Sequence, residues 1–131
     1  MKISIIGAGN TGFACAAHLI QKGYDVTVYT RNSEKAAYLD QKQITSGQFC
    51  SGVFSVSVTA DLNEALKGAD LLIVCTWANA HHEIFEKIYA RADCNVLIFN
   101  GNWGAYEAYQ VRSRLYPESR MCIAEVGGMP Y

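Results

Sequence analysis

Gly7-Ala8-Gly9-Asn10-Thr11-Gly12 is the stretch on which the reading of this chain turns. It spells G-x-G-x-x-G, directly after an Ile-rich run, Lys2–Ile6, that reads as a strand. It opens a segment, Thr11–Lys22, in which Phe13, Ala14, Ala16, Ala17, Leu19 and Ile20 fall at helical spacing. Six residues alone are a weak match, and the strand before and helix after supply the context that gives them meaning. The three glycines serve different ends. Gly7 makes the tight turn, Gly9 lets the backbone approach a pyrophosphate, and Gly12 lets the helix pack close on the strand. Amides at the helix N-terminus then hold an anion without help from a basic side chain.

Outward from this loop, strands and helices alternate. Gly23 is placed to close the first helix. Asp25–Thr30 reads as a second strand and Ser33–Gln41 as a short helix. Ile44–Thr59 alternates loosely around Gly47 and Gly52, which predicts a hairpin or irregular strand pair. Asp61–Lys67 predicts a helix with Asp61 as N-cap, Glu64 completing a capping box and Gly68 ending it. Leu71–Thr76 and Asn95–Phe99 are continuous apolar runs of the kind buried on both faces of a parallel sheet. Helices are expected at Ala80–Arg91 and at Gly104–Leu115, before Pro117, with a last strand at Arg120–Val126. The alternation predicts an α/β fold of Rossmann type: a doubly wound, mainly parallel sheet with helices on both faces.

The chain has 131 residues, 50% hydrophobic and 18% charged, with a net charge of −1, which suits one domain and gives no basic excess for nucleic acid or an anionic membrane. No apolar run reaches the roughly 18–20 residues of a membrane span. Five scattered cysteines without a C-x-x-C pair argue against a disulfide framework or a zinc site. With no secretory signal in view, a reduced, cytoplasmic domain is expected. His81-His82 invites a metal, but neighbours on a helix point about 100° apart and no third ligand has matching spacing, so none is expected.

Cofactor discrimination belongs at the end of the second strand, where NAD-preferring sites place an acid roughly 20 residues past the glycines. Here the stretch is Tyr29-Thr30-Arg31-Asn32-Ser33, with no acid. Thr30, Arg31 and Ser33 suit a 2′-phosphate through charge-assisted hydrogen bonds, which favours NADP, with NAD or dual use as the alternative. Arg31 stacked on adenine, or simply solvated, is the other reading of that side chain. The strand ends Thr76-Trp77-Ala78-Asn79 and Asn100-Gly101-Asn102-Trp103-Gly104 should also face the cofactor. The second is rich in residues that tolerate a left-handed backbone and could cradle the nicotinamide ribose. His82 is a candidate substrate or nicotinamide contact, against the plainer reading of a solvated helix-start histidine. Tyr29, Tyr38, Tyr89, Tyr106, Tyr109 and Tyr116 read as packing residues.

Three segments together resemble the octopine/nopaline (opine) dehydrogenases: Gly7–Gly12 with Thr76–Glu83, Gly101-Asn102-Trp103-Gly104-Ala105-Tyr106-Glu107, and Glu125-Val126-Gly127-Gly128-Met129-Pro130-Tyr131. The resemblance spans the whole chain but only the amino-terminal part of such an enzyme. It implies NAD(P)H-dependent reductive condensation of an α-keto acid with an amino acid's amine. It adds Ala8, Asn10 and Thr11 to the pyrophosphate loop and places His82-Glu83 where the family has its His-Glu. One departure is Ala78, where the family often has Pro. The catalytic His–Asp pair of that family lies in a second, helical domain, expected but absent here, so this chain alone should bind cofactor without turnover. An apolar patch is then expected near Gly127–Tyr131, and a homodimer is a candidate assembly. The alternatives are the cofactor domain of a ketopantoate reductase-like or glycerol-3-phosphate dehydrogenase-like enzyme, or a stand-alone NAD(P)-sensing module.

Overall fold

The computed structural model describes residues 1–46, 50–99 and 101–128. Among these residues, eight strands and five α-helices follow one another as β1 (Lys2–Ile6), α1 (Asn10–Gln21), β2 (Asp25–Tyr29), α2 (Ser33–Leu39), β3 (Gln43–Ser46), β4 (Gly52–Ser55), β5 (Ser57–Thr59), α3 (Leu62–Leu66), β6 (Leu71–Val74), α4 (His81–Tyr89), β7 (Asn95–Phe99), α5 (Gly104–Leu115) and β8 (Ile123–Val126). Six strands form one wholly parallel sheet in the order β5-β2-β1-β6-β7-β8. This is the Rossmann order, with the chain winding outward from β1 and then returning to β6 on its other side. The reversal leaves a crevice above the carboxyl ends of β1 and β6.

Period-two alternation in the buried strands feeds two cores. Ile3, Ile5, Val26, Val28, Ile73 and Phe99 pack against Cys15, Ala16 and Ala36 of α1 and α2. Ile6, Leu72, Val74, Val96 and Ile98 pack against Leu66, Phe85, Ile88, Ala108 and Val111 of α3, α4 and α5. Ser4, a fully buried polar side chain in β1, donates its hydroxyl to the Ala65 carbonyl and so carries no unmet hydrogen bond into the second core.

Several expectations need correction. The hairpin expected over 44–59 is present as the antiparallel pair β3 and β4, but β5 leaves it to join β2 at the edge of the main sheet. Val58 alternates inward there, so burial rather than local turn chemistry decides its partner. The last strand starts at Ile123, not Arg120, and the helix after β6 is entered through a 3-10 turn, Ala78–Ala80. Asp61 does cap α3, accepting from Asn63 and Glu64 amides at 2.8 and 3.4 Å, but the box is not closed by Glu64. Its carboxylate instead takes the Thr59 hydroxyl, whose oxygen accepts from the Asp61 amide. Gly23 follows α1 with φ +83°, the left-handed conformation that its lack of a Cβ permits. Gly47 lies outside the described residues.

Candidate dinucleotide-binding site

The loop after β1 is held from both neighbouring strands. Gly7 donates its amide to the Tyr29 carbonyl at 3.0 Å, and Cys75 donates to the Ile6 carbonyl at 2.9 Å. Gly7 adopts φ +123°, and a Cβ there would meet the Cys75 carbonyl oxygen at 2.9 Å. Gly12 sits in the first turn of α1, where a Cβ would fall 2.0 Å from the Gly7 carbonyl oxygen. Gly9 is the contrast, because a Cβ there would meet nothing within 4 Å. Gly9 is also the N-cap of α1, so the first-turn amides receive no side-chain cap, and no acid stands in that turn. Uncapped amides at the positive end of a helix, beside an open backbone, fit a pyrophosphate.

The crevice is an open cleft of about 360 Å³. Gly7, Ala8 and Gly9 line one wall, Thr30, Arg31 and Lys35 the end beyond β2, and Thr76, Trp77, Asn79 and Ala80 the side beyond β6. The Thr76 hydroxyl is buried and has no hydrogen-bond partner among the described residues, as a group waiting for a ligand atom would be. Cys75 also reaches the cleft, but burial, helped by Cys15, pushes its thiol up to about 12, so it is no nucleophile at neutral pH.

Of the other predicted site residues, Asn10 and Thr11 are the first residues of α1 and supply its uncapped amides, Ser33 is an exposed first residue of α2, and Ala78 is not among the residues lining the cleft, although its neighbours on either side are. Asn100 lies outside the described residues. Gly101 packs on Glu125, whose carboxylate oxygen a Cβ at that position would overlap. His82 does not face the cleft: it is half-exposed, with Nδ1 3.2 Å from Glu107 and Nε2 3.6 Å from Glu86. Its neighbour turns the opposite way, with His81 fully buried at the foot of the β7–α5 turn.

That turn is left-handed at two residues, Asn102 at φ 41°, a residue type that tolerates it, and bulky Trp103 at φ 68°, which rarely adopts it. Glu125 fastens it, accepting from the Trp103 amide at 3.2 Å and the Ala105 amide at 2.6 Å, which satisfies the head of α5. Tyr29 and Tyr89 are buried, as packing tyrosines should be, whereas Tyr38, Tyr106 and Tyr109 are exposed. Of the expected apolar patch, Val126 is exposed and Trp103 and Tyr106 lie edge to face beside the same turn; residues 129–131 are outside the described set. Lys35 and Lys87, which the sequence reading did not single out, and Glu83, which it named only beside His82, line the cleft from α2 and α4.

Residues 2–98 match the family described as NADP oxidoreductase, coenzyme F420-dependent. The chain belongs to this family. A glycerol-3-phosphate dehydrogenase [NAD(P)+] of Thermoanaerobacter sp. (strain X514) is 30% identical over 101 residues, which is 76% of this chain and 31% of that protein. The crystal structure of glycerol-3-phosphate dehydrogenase from Coxiella burnetii superposes with a TM-score of 0.74 at 17% identity, over 95% of this chain and 39% of that one. An octopine dehydrogenase in complex with NADH and agmatine superposes with a TM-score of 0.72 at 16% identity, over 95% of this chain and 34% of that one. At such identities these two structures speak for the fold alone. The chain spans about a third of the length of the relatives it matches.

Proposed function

We propose that these residues form the NADP(H)-binding domain of an oxidoreductase, with the opine dehydrogenase-like reaction as the first reading of the whole enzyme. One observation carries the cofactor assignment. The uncapped head of α1 opens, through side-chain-free Gly9, onto a cleft whose far end presents Arg31 and Lys35, where an NAD-selecting site would carry an acid. The nicotinamide, once bound, supplies a hydride to its substrate. The chain's own share is to hold the pyrophosphate on the α1 amides, to neutralise a 2′-phosphate at Arg31 and to offer the Thr76 hydroxyl as a hydrogen-bonding partner.

The opine reading rests on Thr76–Glu83 and on Gly101–Glu107, and expects condensation of an α-keto acid with an amino acid. The glycerol-3-phosphate dehydrogenase reading has support of about equal weight from the relative at 30% identity, and would move the chemistry from a C–N to a C–O bond. The opine reading expects a helical catalytic domain beyond these residues, so the 131-residue chain is expected to bind cofactor without turnover. Calorimetric titration with NADPH and NADH tests the cofactor assignment. Tighter NADPH binding that Arg31→Asp reverses is the expected result, and binding of neither dinucleotide would overturn it. In the complete enzyme, NADPH consumption with an α-keto acid and an amino acid supports the opine reading. NADP+ reduction with glycerol 3-phosphate in its place supports the other.

A further inference from the structure

The acid missing from the end of β2 has a counterpart on the opposite wall. Glu83, in the first turn of α4, is the one carboxylate among the described residues lining the cleft, and it shares that cleft with Arg31, Lys35 and Lys87. Its Oε1 accepts from the Lys87 ammonium at 2.5 Å, one helical turn on. Lys87 first, and Arg31 to a smaller extent, hold the Glu83 carboxyl below its ordinary range, so the acid is felt across the cleft as well as along its own helix. The cation-rich end of the cleft is therefore partly neutralised from within.

We propose that Glu83 sets the balance between the two cofactors, competing with a 2′-phosphate for Lys87 and Arg31 and accepting from the 2′-hydroxyl when no phosphate is present. The proposal rests on the reading of the cleft as a dinucleotide site. Its chemistry is that of any carboxylate near a guanidinium and an ammonium: it occupies the donors that a dianionic phosphate would use, and it suits a diol. Glu83 is 59% exposed and Lys87 45%, so solvent screens the pair and makes Glu83 a bias on selectivity rather than an absolute gate. An ordinary surface pair at this spacing would add slightly to helix stability and treat both cofactors alike.

That difference is the test. NADPH and NADH are titrated calorimetrically into the protein, into Glu83→Gln and into Lys87→Gln, at low ionic strength where exposed charges reach furthest. Glu83→Gln, close to isosteric, is expected to tighten NADPH by up to about fivefold and to weaken NADH, fivefold being the upper end for an exposed charge pair. Lys87→Gln keeps the acid but loses a cation and should move the preference the other way. If Glu83→Gln leaves the ratio of the two affinities unchanged, the proposal falls and the pair is a helix-surface contact. If the unaltered protein binds neither dinucleotide, the assignment of the cleft fails first and takes this proposal with it.

Discussion

Gly9 and Gly12 are three residues apart and have opposite reasons to be glycine. At Gly12 a methyl group would lie 2.0 Å from the Gly7 carbonyl oxygen, backbone against backbone, with no flexible side chain to yield. At Gly9 the same methyl meets only open cleft, at φ −96°, which any residue adopts. Gly12→Ala should therefore cost at least the roughly 1–3 kcal/mol of an overpacked site. Gly9→Ala should melt within about half a kcal/mol of the parent, as surface changes do, yet lose most of its dinucleotide affinity. Thermal denaturation with a parallel NADPH titration separates the two outcomes, and equal melting points for the two variants would contradict the geometry. Both glycines were legible in the sequence because a backbone requirement writes itself into residue type. The pairing of Glu83 with Lys87 in the cleft was not, since an exposed acid and base four residues apart on a helix look like any solvated pair until the sheet order brings α4 across from Arg31.

The packing of α4 on α5 turns on His81. Its ring is fully buried, lies edge-on to Phe85 with centroids 6.2 Å apart, and abuts Gly104, where a Cβ would come within 2.7 Å of Nδ1. Neither ring nitrogen has a partner in hydrogen-bond geometry among the described residues. Burial lowers the affinity of His81 for a proton, opposed in part by the Thr76 backbone and by the charges of Glu125 and Glu107. The folded state thus prefers the neutral ring, while the unfolded chain takes a proton near the ordinary value of 6.5. The stability this lends is complete above pH 6.5 and drains away as the pH falls from there toward the lower folded value. Urea denaturation on either side of that window should show the loss, and His81→Gln should flatten it; an unchanged slope in the variant would assign the acid sensitivity elsewhere. From sequence, His81 and His82 were indistinguishable neighbours. Helical rotation, set by which face of α4 the sheet needs, makes one a core residue and leaves the other on the surface. The same principle explains why β1, β7 and α5 fell where the apolar pattern put them, since those patterns coincide with burial, whereas β5 depended on a partner distant in sequence.

For the molecule as a whole, the order β5-β2-β1-β6-β7-β8 gathers separate strand ends at one rim. That gathering was foreseeable from the strand–helix alternation, while the composition of the rim's far wall was not, because nothing local in α4 announces the cleft. Among the described residues no helix is long and apolar enough to cross a membrane. The rim carries both tryptophans of the chain, one after β6 and one after β7, 83% and 77% exposed. Trp77 lines the cleft and Trp103 does not. The protein consequently has a built-in optical probe at its working end: emission from a solvent-facing indole overlaps the absorption of a dihydronicotinamide, so reduced cofactor should dim it by energy transfer. Trp77→Phe and Trp103→Phe apportion that signal between the two indoles. The pair would then read out occupancy, and distance along the rim, without any label.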